Sequence, residues 1–119
     1  MNVTIKPDNL SKMIENYKIE EMVKGWFIGN FDPSLYQTHN VEVGIKKYKA
    51  GDYEVSHHHK IATEFTVILY GEVEMSGKRY KDGDIVKINP GISTDFKAIT
   101  DVTTVIVKIP GASNDKYVD

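Results

Sequence analysis

After residue 40 the sequence alternates between hydrophobic and polar residues, and turn-forming residues interrupt this alternation at short intervals. Val41, Val43 and Ile45 occupy every second position of one run, and residues 102–109 are dense in valine, isoleucine and threonine. Side chains of a strand point alternately to its two faces, so this pattern predicts half-buried antiparallel strands. The turn signals are Asp32-Pro33-Ser34, Ala50-Gly51-Asp52, Ser76-Gly77-Lys78, Lys81-Asp82-Gly83-Asp84 and Asn89-Pro90-Gly91. We therefore expect an all-β sandwich or small barrel.

One helical pattern precedes the strands, behind a start signal at Pro7-Asp8. Its apolar residues follow the i, i+3, i+4, i+7 spacing of an amphipathic helix, and they are Leu10, Met13, Ile14 and Tyr17. The 119 residues are enough for one domain with a single core. Within it we expect a helix and strand over 1–40 packing on a barrel over 41–110, and a tail over 111–119 whose polar part, 113–119, is loosely held.

Composition excludes several classes of function. The net charge of -2 comes from interspersed charges and gives no basic surface for nucleic acid or an anionic membrane. The chain has no cysteine, which excludes disulfides and thiolate chemistry. It shows no secretory signal, no apolar run near the roughly 20 residues of a membrane span, and no phosphate-binding glycine loop or nucleophile elbow. These features favour a cytoplasmic protein.

Three residues form the strongest candidate site. His57 and His59 are two positions apart, so on a strand both point to the same face, about 7 Å apart along the backbone. After a short turn, Glu64 opens a run of strand-forming residues and can face back across the hairpin. Two imidazoles and one carboxylate could hold a single divalent metal ion.

These residues also carry a resemblance to the cupin superfamily. The chain resembles the first motif of this superfamily, G-x5-H-x-H-x(3,4)-E-x6-G, at Gly51, His57, His59, Glu64 and Gly71. The resemblance covers residues 41–109 and implies a conical antiparallel barrel, a double-stranded β-helix or jelly roll, with the site in its mouth and commonly a dimer.

The second cupin motif is degenerate in this chain. Gly83 and Gly91 match it, but Asn89 stands where proline is usual, Thr94 stands at the family's last metal-binding histidine, and Ala98 at its distal asparagine. Three remaining ligands would leave positions for water and substrate, on Fe, Mn, Ni, Co or Zn, which the ligand types do not distinguish. The alternative is a polar patch that has lost its metal.

Other residues are candidates for the wall of a substrate pocket: Thr94, Thr66, Ile68, Phe96, Lys108, Tyr48 and His39. His39 shares the parity of the 41–45 strand and could replace the missing ligand, or could simply be a loop histidine. Lys108 could instead be a solvated strand end. His58 should face away from the pocket, and Asp95 should too unless a bulge redirects it.

The favoured function is isomerase, epimerase or lyase chemistry on a carbohydrate or hydroxy-acid, because such molecules offer paired oxygens to an open metal site. An Fe(II) dioxygenase, a metal-free isomerase with a histidine base, and a non-catalytic sensor remain alternatives. We also expect a homodimer, because the strand that begins at Glu64 is apolar on both faces. The early helix or the aromatic segment 25–31 would form the contact, unless Trp26 and Phe27 are simply core.

Overall fold

The structure is a computed structural model that describes residues 13–112 and 114–119. The described residues form one turn of 3-10 helix at Ile19–Glu21 and ten strands. The strands are β1 Trp26–Ile28, β2 Glu42–Tyr48, β3 Tyr53–His59, β4 Thr63–Tyr70, β5 Glu72–Met75, β6 Lys78–Lys81, β7 Ile85–Ile88, β8 Thr94–Ala98, β9 Val102–Ile109 and β10 Lys116–Val118. The predicted all-β fold is confirmed.

The strands form two five-stranded sheets in which every pair is antiparallel. One sheet has the order β1-β2-β9-β4-β7 and the other the order β10-β3-β8-β5-β6. Consecutive strands β3 and β4 lie in different sheets, so the turn between them crosses from one layer to the other. This arrangement is a double-stranded β-helix, and it places the ends of β3 and β4 at the same end of the molecule.

The two ends of the chain differ from the sequence predictions. Most of the predicted helix falls on residues 1–12, outside the described residues, and its last part, 14–17, is not helical. The helical element that the structure does describe is the single 3-10 turn. The prediction of a loose tail is wrong for residues 116–118, which pair with the histidine-bearing end of β3. No helix in the described part of the chain is long and apolar enough to cross a bilayer.

The space between the sheets changes from apolar to polar along the strands. Its closed end is a core of fully or nearly fully buried side chains, namely Ile68, Val73, Met75, Phe96, Ala98 and Val102. Along β4 the inward residues run from Ile68 in this core, through Thr66, to Glu64. Apolar burial at one end stabilises the barrel, and the polar side chains are gathered at the open end.

Candidate functional site

The end of β3 and the start of β4 bring the predicted triad to one cavity. His57 and His59 lie on β3, Glu64 is the second residue of β4, and all three line the same cavity, which has a volume of about 230 Å³. His59 is 6% exposed and Glu64 is 9% exposed. In the structure these three side chains therefore lie on the faces of their strands that the sequence predicted.

Both histidines use the same ring nitrogen to contact the backbone. Nδ1 of His59 lies 2.9 Å from the carbonyl oxygen of Asp115, and Nδ1 of His57 lies 3.1 Å from that of Val55. A carbonyl oxygen only accepts hydrogen bonds, so each Nδ1 carries the proton and donates it. In the neutral ring the lone pair is then on Nε2, the atom free to bind a ligand. Metal-binding histidines are commonly held in this way.

The contact between His59 and Glu64 is the least ordinary feature of the cavity. Nε2 of His59 lies 3.4 Å from a carboxylate oxygen of Glu64, yet this buried nitrogen has no hydrogen-bond partner among the described residues. With Nδ1 protonated, a lone pair faces a carboxylate oxygen, and two acceptors at this distance need a positive charge between them. Either a metal ion or a second proton on the ring supplies that charge.

Glu64 is held in its charged form. Burial alone would raise the pKa of its carboxyl, but the adjacent His59 ring, the nearby Lys108 and a hydrogen bond from the Thr66 hydroxyl outweigh burial and lower the pKa. The Thr66 hydroxyl donates to the second carboxylate oxygen at 3.1 Å. A charged, oriented carboxylate is the state that binds a cation.

The side chains of the triad are not arranged as a three-ligand metal site. Among the described residues, no three histidine, aspartate or glutamate side chains are arranged to hold a metal ion as they stand. The rings of His57 and His59 meet edge to face with centroids 5.5 Å apart. The donor types and protonation states fit a divalent first-row metal, and binding one would require side-chain adjustment.

Most of the predicted pocket residues line this cavity, and two do not. Those that do are Tyr48, Thr66, Thr94, Phe96 and Lys108. The prediction for Ile68 is wrong. Its side chain points inward but lies deeper than the cavity, where it is fully buried in the apolar core. The prediction for His39 is also wrong. Strand β2 begins only at Glu42, and the residues of β2 that face the cavity have even numbers, whereas His39 has an odd one. His39 is exposed.

The side chains next to the triad use their polar groups elsewhere. The Thr94 hydroxyl donates to the carbonyl oxygen of Asp95 and accepts from Ser76. The Asp95 carboxylate accepts from Ser76 N–H and from the Tyr53 hydroxyl. His58 points away, as expected, and contacts Asp119 at 2.8 Å.

A bulge adds a carboxylate that alternation did not predict. On β3, Glu54 and His57 are three residues apart, but they pair with Phe96 and Thr94, which are two apart on β8. The extra residue turns Glu54 to the same face as His57, and Glu54 lines the cavity. It accepts a hydrogen bond of 3.1 Å from the Tyr48 hydroxyl. Burial, and then the Glu54 charge, raise the pKa of Tyr48.

The tail fixes the turn between β3 and β4, which the sequence did not reveal. The Asp115 carboxylate, itself 4% exposed, accepts hydrogen bonds from the backbone N–H groups of Lys60, Ile61 and Ala62. Its carbonyl oxygen holds His59. One tail residue therefore orients both the turn and the His59 ring beside it.

Trp26 has a role that neither prediction for it anticipated. It is half-buried and lies over Gly44 on β2, where a Cβ atom would come within 2.7 Å of the indole. The ring lines the mouth of the cavity together with Lys46 and Lys108. Trp26 is therefore a wall residue of the site, and not simply a core residue.

Solved structures with the same fold include several proteins of known or unknown activity. The DMSP lyase DddQ from Ruegeria pomeroyi aligns with a TM-score of 0.65 and 19% identity over 78% of this chain and 49% of its own. The present chain thus spans about half of that lyase. An uncharacterized protein with a double-stranded β-helix domain from Klebsiella pneumoniae aligns with a TM-score of 0.64 and 19% identity, over 88% of this chain and 96% of its own.

Oxalate decarboxylase from Bacillus subtilis aligns with a TM-score of 0.58 and 18% identity, over 67% of this chain and 24% of its own. No protein-family model and no curated protein sequence matches the chain. The structural matches, with the complete first motif and the two antiparallel sheets, agree with the resemblance described above. The chain has the cupin fold.

Proposed function

We propose that the chain is a metal-dependent cupin enzyme in which His57, His59 and Glu64 hold one divalent transition-metal ion. The observation that carries the proposal is the buried Nε2 of His59, which lacks a hydrogen-bond partner among the described residues and faces the charged Glu64 at 3.4 Å. A cation between them would satisfy both groups. The same tautomer at His57 supplies a second nitrogen.

The proposed substrate is a small oxygen-rich molecule, and the proposed chemistry is that of a lyase or an isomerase acting on a carbohydrate or hydroxy-acid. A bound ion would act as a Lewis acid that polarises a substrate oxygen. The cavity volume of about 230 Å³ is below the roughly 300 Å³ at which pockets for drug-sized ligands begin. A DMSP lyase and an oxalate decarboxylase studied for its Mn(II) centres share the fold, which supports this class of reaction without selecting it.

In this cavity the chain's own residues have separable roles. Thr66 orients Glu64, and the backbone carbonyls of Val55 and Asp115 fix the two histidine rings. The Tyr48 hydroxyl donates to Glu54 on the opposite wall. Its raised pKa keeps the hydroxyl protonated at neutral pH, so it can donate a hydrogen bond to Glu54 or to a bound substrate.

A metal-free isomerase is the second candidate, and one observation favours it. The triad is not arranged as a three-ligand cluster among the described residues. His59 would then accept a proton on Nε2, and the Glu64 carboxylate beside it would stabilise the resulting imidazolium. Metal content separates the two candidates directly.

The test uses protein expressed without a histidine tag and measures its metal content by elemental analysis after supplying Mn²⁺, Fe²⁺, Ni²⁺ or Zn²⁺. We expect about one equivalent per chain with one of these ions. His59→Ala should abolish retention and keep the thermal transition of a folded protein. His58→Ala is the matched control, since His58 lies on the same strand and contacts Asp119 outside the cavity.

Less than about 0.1 equivalent with every ion would overturn the metal proposal and leave the histidine-base candidate. Loss of the fold in His59→Ala would assign His59 a structural role. Once a substrate is found, turnover that persists without oxygen supports the lyase or isomerase assignment. Oxygen uptake coupled to turnover with Fe(II) would instead identify a dioxygenase.

A further inference from the structure

Two lysines lie against the same aromatic ring at the mouth of the cavity. The ammonium nitrogen of Lys46 is 5.1 Å from the ring centroid of Trp26, and that of Lys108 is 4.9 Å from it. Lys46 is on β2 and Lys108 on the adjacent strand β9, and both are half-buried. In register, Lys108 is the neighbour of Glu64 on β4. Both lysines therefore line the cavity, and Lys108 lies next to the proposed ligand Glu64.

Neither lysine has a carboxylate partner within 4.0 Å in the described ranges 13–112 and 114–119. The cavity wall carries four lysines, which also include Lys24 and Lys116, against three carboxylates. Two of those carboxylates, Glu54 and Asp95, already accept hydrogen bonds from tyrosine hydroxyls. A hydrogen bond from a neutral hydroxyl leaves each carboxylate charged, so the described wall of the cavity has one more lysine than carboxylates.

This arrangement has an electrostatic cost. Burial lowers the pKa of Lys46, and although Glu54 opposes this, the charges of Lys108, Lys24 and Lys116 lower it further. Contact with Trp26 offsets part of the cost through the attraction between a cation and an aromatic face. However, two ammonium groups on one ring also repel each other. An anion bound in the cavity beside either ammonium group would offset that repulsion.

The indole that both lysines contact is held in place by the backbone below it. Trp26 is paired in register with Gly44, and only a glycine leaves room for the ring at that position. The ammonium groups consequently approach the cavity from fixed strands on a rigid surface. Such preorganisation reduces the entropy that a ligand must lose on binding.

We propose that Lys46 and Lys108, seated on Trp26, form a subsite for a carboxylate group of the substrate. This inference rests on the proposed function of the cavity as a substrate site and narrows the substrate class to small organic acids. A second oxygen-bearing group on the same molecule would extend from the lysines towards His57, His59 and Glu64. The cavity volume of about 230 Å³ suits a small acid.

The competing explanation is that the lysines only pack on Trp26 to stabilise β1 on the barrel. Packing alone requires their hydrocarbon stems and a cation over the ring, and it predicts no effect on the binding of acids. A charged ligand therefore distinguishes the two explanations.

The experiment measures malonate binding by isothermal titration calorimetry, with neutral malonamide as the uncharged probe of the same shape. Chelator-treated protein and protein supplied with Mn²⁺ are titrated separately. Lys46→Met and Lys108→Met keep the stems but remove the charges, while Lys46→Arg keeps a charge. Lys47→Met is the matched control, because Lys47 is the next residue on β2, is exposed and does not line this cavity.

We expect malonate to bind and malonamide to bind much more weakly. Each lysine-to-methionine change should weaken malonate binding by about tenfold or more, since a charge-assisted contact is lost. Lys46→Arg should retain most of the affinity, and Lys47→Met should match the unaltered protein. Absence of malonate binding in both preparations, or equal weakening by Lys47→Met, would overturn the subsite.

The two proposals fail separately. If the protein takes up no metal but malonate binding still depends on both lysines, the metal centre is refuted and the carboxylate subsite stands. If the protein takes up metal and the lysine variants bind malonate as the unaltered chain does, the metal centre stands and the subsite is refuted.

Discussion

At the scale of single residues, the environment of His59 combines what the sequence predicts with what it does not. Strand parity was sufficient to place His57 and His59 on one face of β3. The predicted hairpin is wrong, because β3 and β4 lie in different sheets and Glu64 meets the histidines across the cavity between them. The residue that fixes the His59 ring, Asp115, is 56 positions away. No local pattern connects residues at that separation, so this contact could be found only in the structure.

Asp115→Ala should destabilise the protein and loosen the triad. The change leaves the buried N–H group of Ala62 and the part-buried N–H group of Ile61 without their acceptor, and we expect a loss of about 1–3 kcal/mol in the free energy of unfolding. Denaturant titration measures this loss. Asp119→Asn is the control, because Asp119 is an exposed tail residue bonded to Ser56 and His58. Equal stability of Asp115→Ala and the unaltered protein would contradict the assigned role.

The same variant has a characteristic acid response. Burial acts to raise the pKa of Asp115, but the N–H groups of Ala62, Ile61 and Lys60 outweigh it and lower the pKa below 3.8. Because the folded pKa is below the unfolded one, the contribution of Asp115 is complete above pH 3.8 and is lost as pH falls through the folded value. The stability gap between the unaltered protein and Asp115→Ala should therefore close in strong acid.

At the scale of strands, alternation predicted which face a side chain takes but not how deep it lies. Thr66 and Ile68 share a face of β4, yet Thr66 borders the cavity and Ile68 belongs to the core. Depth depends on where the opposite sheet closes over the strand. Alternation also failed for Glu54. A bulge in β3 reverses the face of the strand that Glu54 takes, and no residue pattern around it indicates a bulge.

Gly44→Ala should displace Trp26 from β2. A Cβ atom there would come within 2.7 Å of the indole, which is closer than side chains pack, so the ring must move towards solvent. Trp26 is the single tryptophan of the chain, and its fluorescence emission should shift to longer wavelength. An unchanged emission maximum would show that the strand shifts instead and that the ring keeps its place.

At the scale of the whole molecule, the homodimer stays a prediction, and the structure offers a surface for testing it. Ile85 on β7 is 66% exposed and lies in register with Val67 on β4, on the outer face of the sheet that the sequence showed to be apolar. Ile85→Lys should convert a dimer to a monomer in sedimentation equilibrium, because burying the introduced charge opposes association. A monomeric unaltered protein at every concentration would contradict the prediction.

The pairing of β10 with β3 has a practical consequence for anyone who modifies the chain. The backbone N–H of Asp119 donates to the carbonyl of Ser56, on the strand that bears both histidines. A peptide fused behind Asp119 would emerge beside that strand, and an oligohistidine fusion would bring competing imidazoles to the rim of the barrel. Attachment at residue 119 would thus alter the very property that a metal titration is meant to measure.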